Sequence, residues 1–135
     1  MRRWERTGQI LKKIVKTGVG CVQEDAPYVH FAGCLGQASS LLSDTLAQYH
    51  IDTRYLRSVD QPAGHAIIQV DRTGQNAILV YPGSNYAITS AQIDETLANF
   101  QAGDLLVIQN EINRLEELIH KAHERGLIIA LKPSP

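Results

Sequence analysis

Apolar residues along this chain recur at two different periods. Residues 2–16 (RRWERTGQILKKIVK) set Trp4, Ile10, Leu11, Ile14 and Val15 at roughly helical spacing among Arg and Lys, which predicts an amphipathic helix weakened in its first half by Gly8. Such a helix either packs on a core or docks as a basic face on a partner or membrane, and the first is the plainer reading. Gly18 and Gly20 then read as a turn, and residues 28–33 (YVHFAG) as a buried strand with His30 at the core edge. Leu41, Leu42, Thr45, Leu46 and Tyr49 form a helical stripe over residues 39–50, and residues 53–59 are extended in character.

The same order returns further on. Thr89 and Gln92 fit a capping box that opens a helix over residues 90–100, and residues 104–109 (DLLVIQ) form an almost continuous apolar strand. Asn113 is placed to cap a helix carrying Leu115, Leu118, Ile119 and Ala122, which ends at Gly126. Residues 127–131 (LIIAL) are wholly apolar, and Pro133 and Pro135 stop regular structure. Helices alternating with doubly buried strands predict an α/β fold: a three-layer arrangement of mostly parallel strands, helices on both faces and right-handed crossovers. With no repeat of fixed period and no low-complexity segment, residues 1–135 read as one domain.

Between the two rounds the period changes to two. Residues 64–71 (GHAIIQVD) and 76–82 (NAILVYP) are extended runs joined by Arg72, Thr73, Gly74 and Gln75, with Gly74 suited to the positive φ of a tight turn. Alternation puts Ala66, Ile68 and Val70 on one face, with Ile78 and Val80 able to share it. A lone hairpin is marginal in water, so this apolar face calls for cover from the domain, another subunit or a ligand.

Composition narrows the function classes. Thirteen basic against 14 acidic residues, net charge -1, give no broad electrostatic reason to bind nucleic acid or an anionic membrane. No apolar run reaches the roughly 18 residues of a membrane span, and the basic start lacks the apolar core of a signal peptide. Cys21 and Cys34 are too few and too far apart for a zinc site or disulfide scaffold, and they suggest a reducing compartment. A cytoplasmic protein is the expectation. His120 and His123, with Glu116 and Glu124 nearby, have a spacing that could hold a metal, but a polar helix face is the simpler account. Ser39, Ser40, Ser58 and Ser84 lack an elbow motif or a recognisable His partner, and Gly18-Val19-Gly20 is no phosphate loop. No catalytic residue and no metal ligand is assigned.

From about Val29 onward the chain resembles the ribokinase-like (PfkB-type) family of carbohydrate kinases. The resemblance rests on Ala63-Gly64-His65-Ala66 with Ile67-Ile68-Gln69-Val70-Asp71, then Gly74-Gln75-Asn76, Pro82-Gly83-Ser84-Asn85, Gln109-Asn110-Glu111 and the stop at Leu131-Lys132-Pro133-Ser134-Pro135. The short words are common; their combination in one order is fairly specific. The resemblance implies that residues 63–85 are a protruding β-hairpin lid. It lays the family's sugar contacts on Ala66, Ile68 and Val80, and its sugar-binding carboxylate on Glu111, just past a strand end where open α/β sheets bind ligands. On its own residues, Glu111 reads equally as a solvated loop acid near a helix start.

Other family words are absent from these 135 residues: the first strand with its Asp, the Gly-Gly-Lys-Gly-x-Asn word, the Gly-Ala-Gly-Asp word with the catalytic base, and the magnesium-associated Asn-x-x-Glu word. Gly36-Gln37-Ala38 lacks the usual acidic pair, Ala63 replaces a usual Thr or Ser, and Lys132 replaces a usual Asn. The expectation is a fragment or degenerate form of an ATP-dependent sugar kinase, truncated at both ends and inactive alone. ATP and Mg²⁺ are implied for an intact family member and none for this chain. The rival expectation is a non-catalytic binding module, a homodimer formed through the hairpin face.

Overall fold

The structure, a computed structural model, describes residues 19–22, 29–37 and 39–133, so the helix expected over residues 2–16 lies outside it. Its elements are β1 (Val19–Val22), β2 (Val29–Gln37), α1 (Ser40–Gln48), β3 (Asp52–Pro62), β4 (His65–Val70), β5 (Asn76–Tyr81), a 3₁₀ turn (Gly83–Tyr86), α2 (Ser90–Leu97), β6 (Leu105–Gln109), α3 (Leu115–Glu124) and β7 (Ile128–Lys132). Five strands form one sheet in the order β3-β2-β1-β6-β7, and β4 and β5 form a separate two-stranded sheet. The α/β architecture is as the periodicity predicts.

β2 and β3 pair in parallel, as do β6 and β7, whereas β1 runs antiparallel to both β2 and β6. The four longer strands therefore point one way, with one short reversed strand at the centre. Gly20, expected in a turn, lies inside that strand and pairs with Phe31 and Val107.

Each face of the sheet has its own helices. Strand alternation sends Val29 and Phe31 to the face where Leu46 of α1 and Ile51 close a small core. The larger core lies on the other face, where Ile93 and Leu97 of α2 and Leu118 and Ala122 of α3 pack against Leu106 and Ile108 of β6. His30 points to this second side and is 6% exposed, its ring 5.4 Å from that of Phe100 and 5.6 Å from that of Tyr55.

The helix ends show which local signals hold. Thr89 is the N-cap of α2, its hydroxyl accepting from the Gln92 amide at 3.2 Å. The Gln92 side chain does not close a capping box. It crosses to the sheet and donates to the Gly33 carbonyl at 2.8 Å, while the Cys34 thiol donates to its Oε1 at 3.3 Å. The helix stops at Leu97, short of the expected Phe100. Asn113 is not the cap of α3: Arg114 holds the N-cap position in a left-handed conformation, φ 57, without a side-chain cap. Asn113 instead donates its amide to the Ile88 carbonyl at 2.9 Å, tying this turn to the entry of α2. Gly126 ends α3 as expected, with the Leu127 amide donating to the Ala122 carbonyl at 3.0 Å.

Candidate functional site

Because β2, β3, β6 and β7 share one direction, their C-terminal ends line one edge of the sheet. From β2 the chain moves outward to β3, and from β6 it moves outward the opposite way to β7. Such a reversal opens a crevice beyond the strand ends, the place where open α/β sheets hold ligands. The hairpin leaves the body directly after β3, and Glu111 follows β6 by two residues, so both expected site elements rise from this edge.

The hairpin register is regular. Ala66 pairs with Val80, Ile68 with Ile78 and Val70 with Asn76, so Ala66, Ile68 and Val80 do share a face. The turn is built as expected around Gly74, φ 85. Asp71 completes it by accepting from the Thr73 amide at 2.8 Å, the Thr73 hydroxyl at 2.8 Å and the Gln75 amide at 2.9 Å, bonds that hold its carboxyl below the usual range, the Thr73 hydroxyl foremost.

Every residue of β4 and β5 is exposed, including Ile68 at 60% and Val80 at 58%. The domain does not cover this face. One expectation is corrected here, because the hairpin is apolar on both faces: Ile67, Leu79 and Tyr81 are exposed on the reverse side. Alternation alone points to Ala66, Ile68 and Val70, but both strands contain unbroken apolar runs, and such runs supply residues to each face in turn.

The hairpin is anchored by backbone packed on backbone. A Cβ on Gly36, near the end of β2, would lie 2.6 Å from the Ala63 nitrogen. A Cβ on Gly83 would lie 2.5 Å from the Pro62 carbonyl oxygen, and at φ +50 that residue also occupies a conformation that L side chains rarely adopt. The lid is thus rooted against β2 and β3 at a junction without room for side chains. Sequence reasoning did not single out these glycines as structural; the signal was their place in the Gly36-Gln37-Ala38 and Pro82-Gly83-Ser84-Asn85 words.

Glu111 is exposed in the bend after β6. Its carboxylate is on a different element from the hairpin, across the sheet's reversal. His120, exposed on α3, pairs with Glu124 at 3.3 Å, and among the described residues no three His, Cys, Asp or Glu side chains gather as a metal site would require. The most developed polar cluster joins α2 and α3 around their first turns: Lys121 bridges Asp94 at 2.6 Å and Glu117 at 2.9 Å, and Arg114 meets Glu117 at 3.0 Å. Ser90 donates to the same carboxylate, and together these contacts pull Glu117 down to about 2, the Ser90 hydrogen bond first among them. Ser90, Asp94, Arg114, Glu117 and Lys121 are satisfied by one another, which makes this cluster a clasp between α2 and α3.

Comparison with known proteins agrees with the fold. The model of the pfkB family of carbohydrate kinases matches residues 27–132. The chain belongs to that family. It is 29% identical over 112 residues to a ribokinase of Haemophilus influenzae, covering 79% of this chain and 37% of that protein. It is 32% identical over 121 residues to a ribokinase of Staphylococcus aureus, covering 84% of this chain and 38% of that one. Among solved structures, the ribokinase of Thermotoga maritima matches with a TM-score of 0.60 and 32% identity, over 76% of this chain and 33% of that one. The chain therefore spans less than two fifths of the length of these curated relatives.

Proposed function

We propose that these 135 residues carry the lid and part of the sugar pocket of an ATP-dependent sugar kinase, and that they do not transfer phosphate on their own. The observation that carries the reading is the fully exposed apolar hairpin, rooted at the C-terminal edge of a pfkB-family sheet. In this reading Ala66, Ile68 and Val80 cover the apolar side of a small sugar, and the exposed Glu111 carboxylate accepts hydrogen bonds from its hydroxyls. The matched relatives are ribokinases, which favours a pentose.

Phosphoryl transfer requires a phosphate cradle, held Mg²⁺ and an oriented base. The family words linked to those tasks do not occur in these 135 residues. The chain by itself is accordingly proposed to hold neither ATP nor Mg²⁺. It is also proposed to be a cytoplasmic protein without a nucleic-acid or membrane partner. No described helix is long and apolar enough to cross a membrane. ADP release in a coupled assay with a panel of pentoses and hexoses tests the proposal of inactivity, and turnover well above a no-protein control refutes it.

A second reading is favoured by the apolar character of both hairpin faces: a homodimer in which the lid of one copy packs on that of another, buried isologously. Sedimentation velocity should then give the mass of two chains. Ile68→Asp should return monomers, and an unchanged mass would count against the dimer.

A further inference from the structure

Two backbone pairings fix a row across the middle of the sheet. Gly20 of β1 lies between Phe31 of β2 and Val107 of β6, and residues directly opposite one another share a face. Phe31 belongs to the small core that Leu46 of α1 closes with Val29 and Ile51, with Leu42 of α1 and Leu56 of β3 packed against it. Val107 therefore faces the α1 side, whereas Leu106 and Ile108 of the same strand face the larger core beneath α2 and α3.

Val107 is only 7% exposed, yet among the described residues it belongs to neither core. A valine on an open sheet face would keep much of its side chain in water, so this burial calls for a covering element. Of the described helices, α2 and α3 serve the larger core, and α1 serves the strands β2 and β3. Leu105, two residues earlier on the face of Val107, is half-buried. Gly20 adds no side chain between them and Phe31, which leaves the β1 and β6 part of this face as a shallow apolar seat.

The segment before β1 has the pattern and the length to fill that seat. With residues 2–16 read as a helix, Trp4, Leu11 and Val15 follow one line at spacings of seven and four, and Ile10 and Ile14 lie beside it. Lys12, Lys13 and Lys16 fall on the opposite side. Fifteen helical residues extend about 22 Å and a five-residue strand about 16 Å, so such a helix crosses the full height of β6. Only Thr17 and Gly18 separate Lys16 from Val19, a connection short enough to turn the helix back onto the sheet beside β1.

We propose that residues 2–16 dock as an amphipathic helix on the α1 side of β1 and β6, setting Trp4, Leu11 and Ile14 against Leu105 and Val107 and turning the lysines to solvent. This cover is particular to the chain, because the pfkB match starts at residue 27 and the segment precedes it. It also decides between a core helix and a basic helix free to meet a membrane, the two readings that the pattern of residues 2–16 leaves open.

Trp4 is the single tryptophan, so fluorescence of the full 135-residue chain reports on this segment alone. Its emission should lie well to the blue of that of the urea-unfolded chain, and acrylamide should quench it several-fold less. Nuclear Overhauser contacts should run from the Trp4 indole and the Leu11 and Ile14 methyl groups to Leu105 and Val107. Leu11→Asp should shift the emission to the red and lower the melting temperature by about 5 °C or more, while Lys13→Asp on the other side of the helix should change neither. The Overhauser contacts are read on the unsubstituted chain, so they decide the matter even where Leu11→Asp fails to fold. A solvent-exposed Trp4, contacts to α2 or α3 in place of β6, or equal effects of the two substitutions would overturn the proposal. Emission that turns blue only when phosphatidylglycerol vesicles are added would overturn it in favour of membrane docking.

Discussion

Replacing Gly83 by Ala probes the root of the lid, where the cost can be worked from geometry. The new Cβ would stand 2.5 Å from the Pro62 oxygen and 2.8 Å from both Ala63 C and Gly64 N, all backbone atoms that no rotamer change can move aside. Holding an L residue at φ +50 costs about 1–2 kcal/mol and crowding a packed site adds about 1–3, giving about 2–5 kcal/mol in all. Gly74→Ala is the matched control, since Gly74 also has positive φ, +85, but nothing lies within 4 Å of its Cβ position. Both strands of its hairpin are exposed throughout, so its effect on global stability should be about 1 kcal/mol or less. Urea unfolding followed by circular dichroism gives both values. If Gly83→Ala costs no more than Gly74→Ala, the rigid junction is refuted.

Three further outcomes are expected. Leu97→Ala empties a site that is 1% exposed in the larger core and should cost about 2–5 kcal/mol in the same urea assay; less than 1 would place the core elsewhere. Burial lowers the pKa of His30 from its ordinary 6.5, the nearby Asp52 and Asp104 only partly opposing it and Arg54 reinforcing it. The unfolded chain therefore takes up the proton first, and stability falls as pH drops below about 6.5. The urea midpoint should decline from about pH 7.5 to about pH 5.5 and His30→Phe should flatten that decline; an equal slope in the variant contradicts it. Glu117, held at about 2, contributes stability that is present above its ordinary 4.5 and lost as pH falls from there toward 2. Glu117→Gln should thus destabilise at neutral pH, with the gap to the parent narrowing by pH 3, as measured by thermal melts; a constant gap rules out the ionic clasp.

Much of the fold was legible because strong periods coincide with simple burial. The apolar run of residues 104–109 became β6, and the alternation around Ile68 and Val80 showed which hairpin residues share a face. The cap at Thr89 was also legible, being decided within one helical turn. Signals failed where a distant partner decides. Gln92 has the right spacing for a capping box, yet the Gly33 carbonyl takes its amide. Asn113 is a good capping residue, but the Ile88 carbonyl claims its side chain and Arg114 takes the cap position. β1 has four residues and a central glycine, too short for any period to show, and its reversed direction depends on strands remote in sequence. Of the candidate site, the shared face of Ala66, Ile68 and Val80 was visible from alternation. The placement of that face and Glu111 along one sheet edge required the topology.

The proposed sugar subsite framed by the hairpin and Glu111 is tested most directly by an NMR titration of the full chain with D-ribose. Amide shifts should concentrate at Ala66, Ile68, Val80 and Glu111, and Glu111→Gln should weaken the apparent affinity several-fold. Shifts confined to α2 and α3, or no shifts at millimolar sugar, would contradict it.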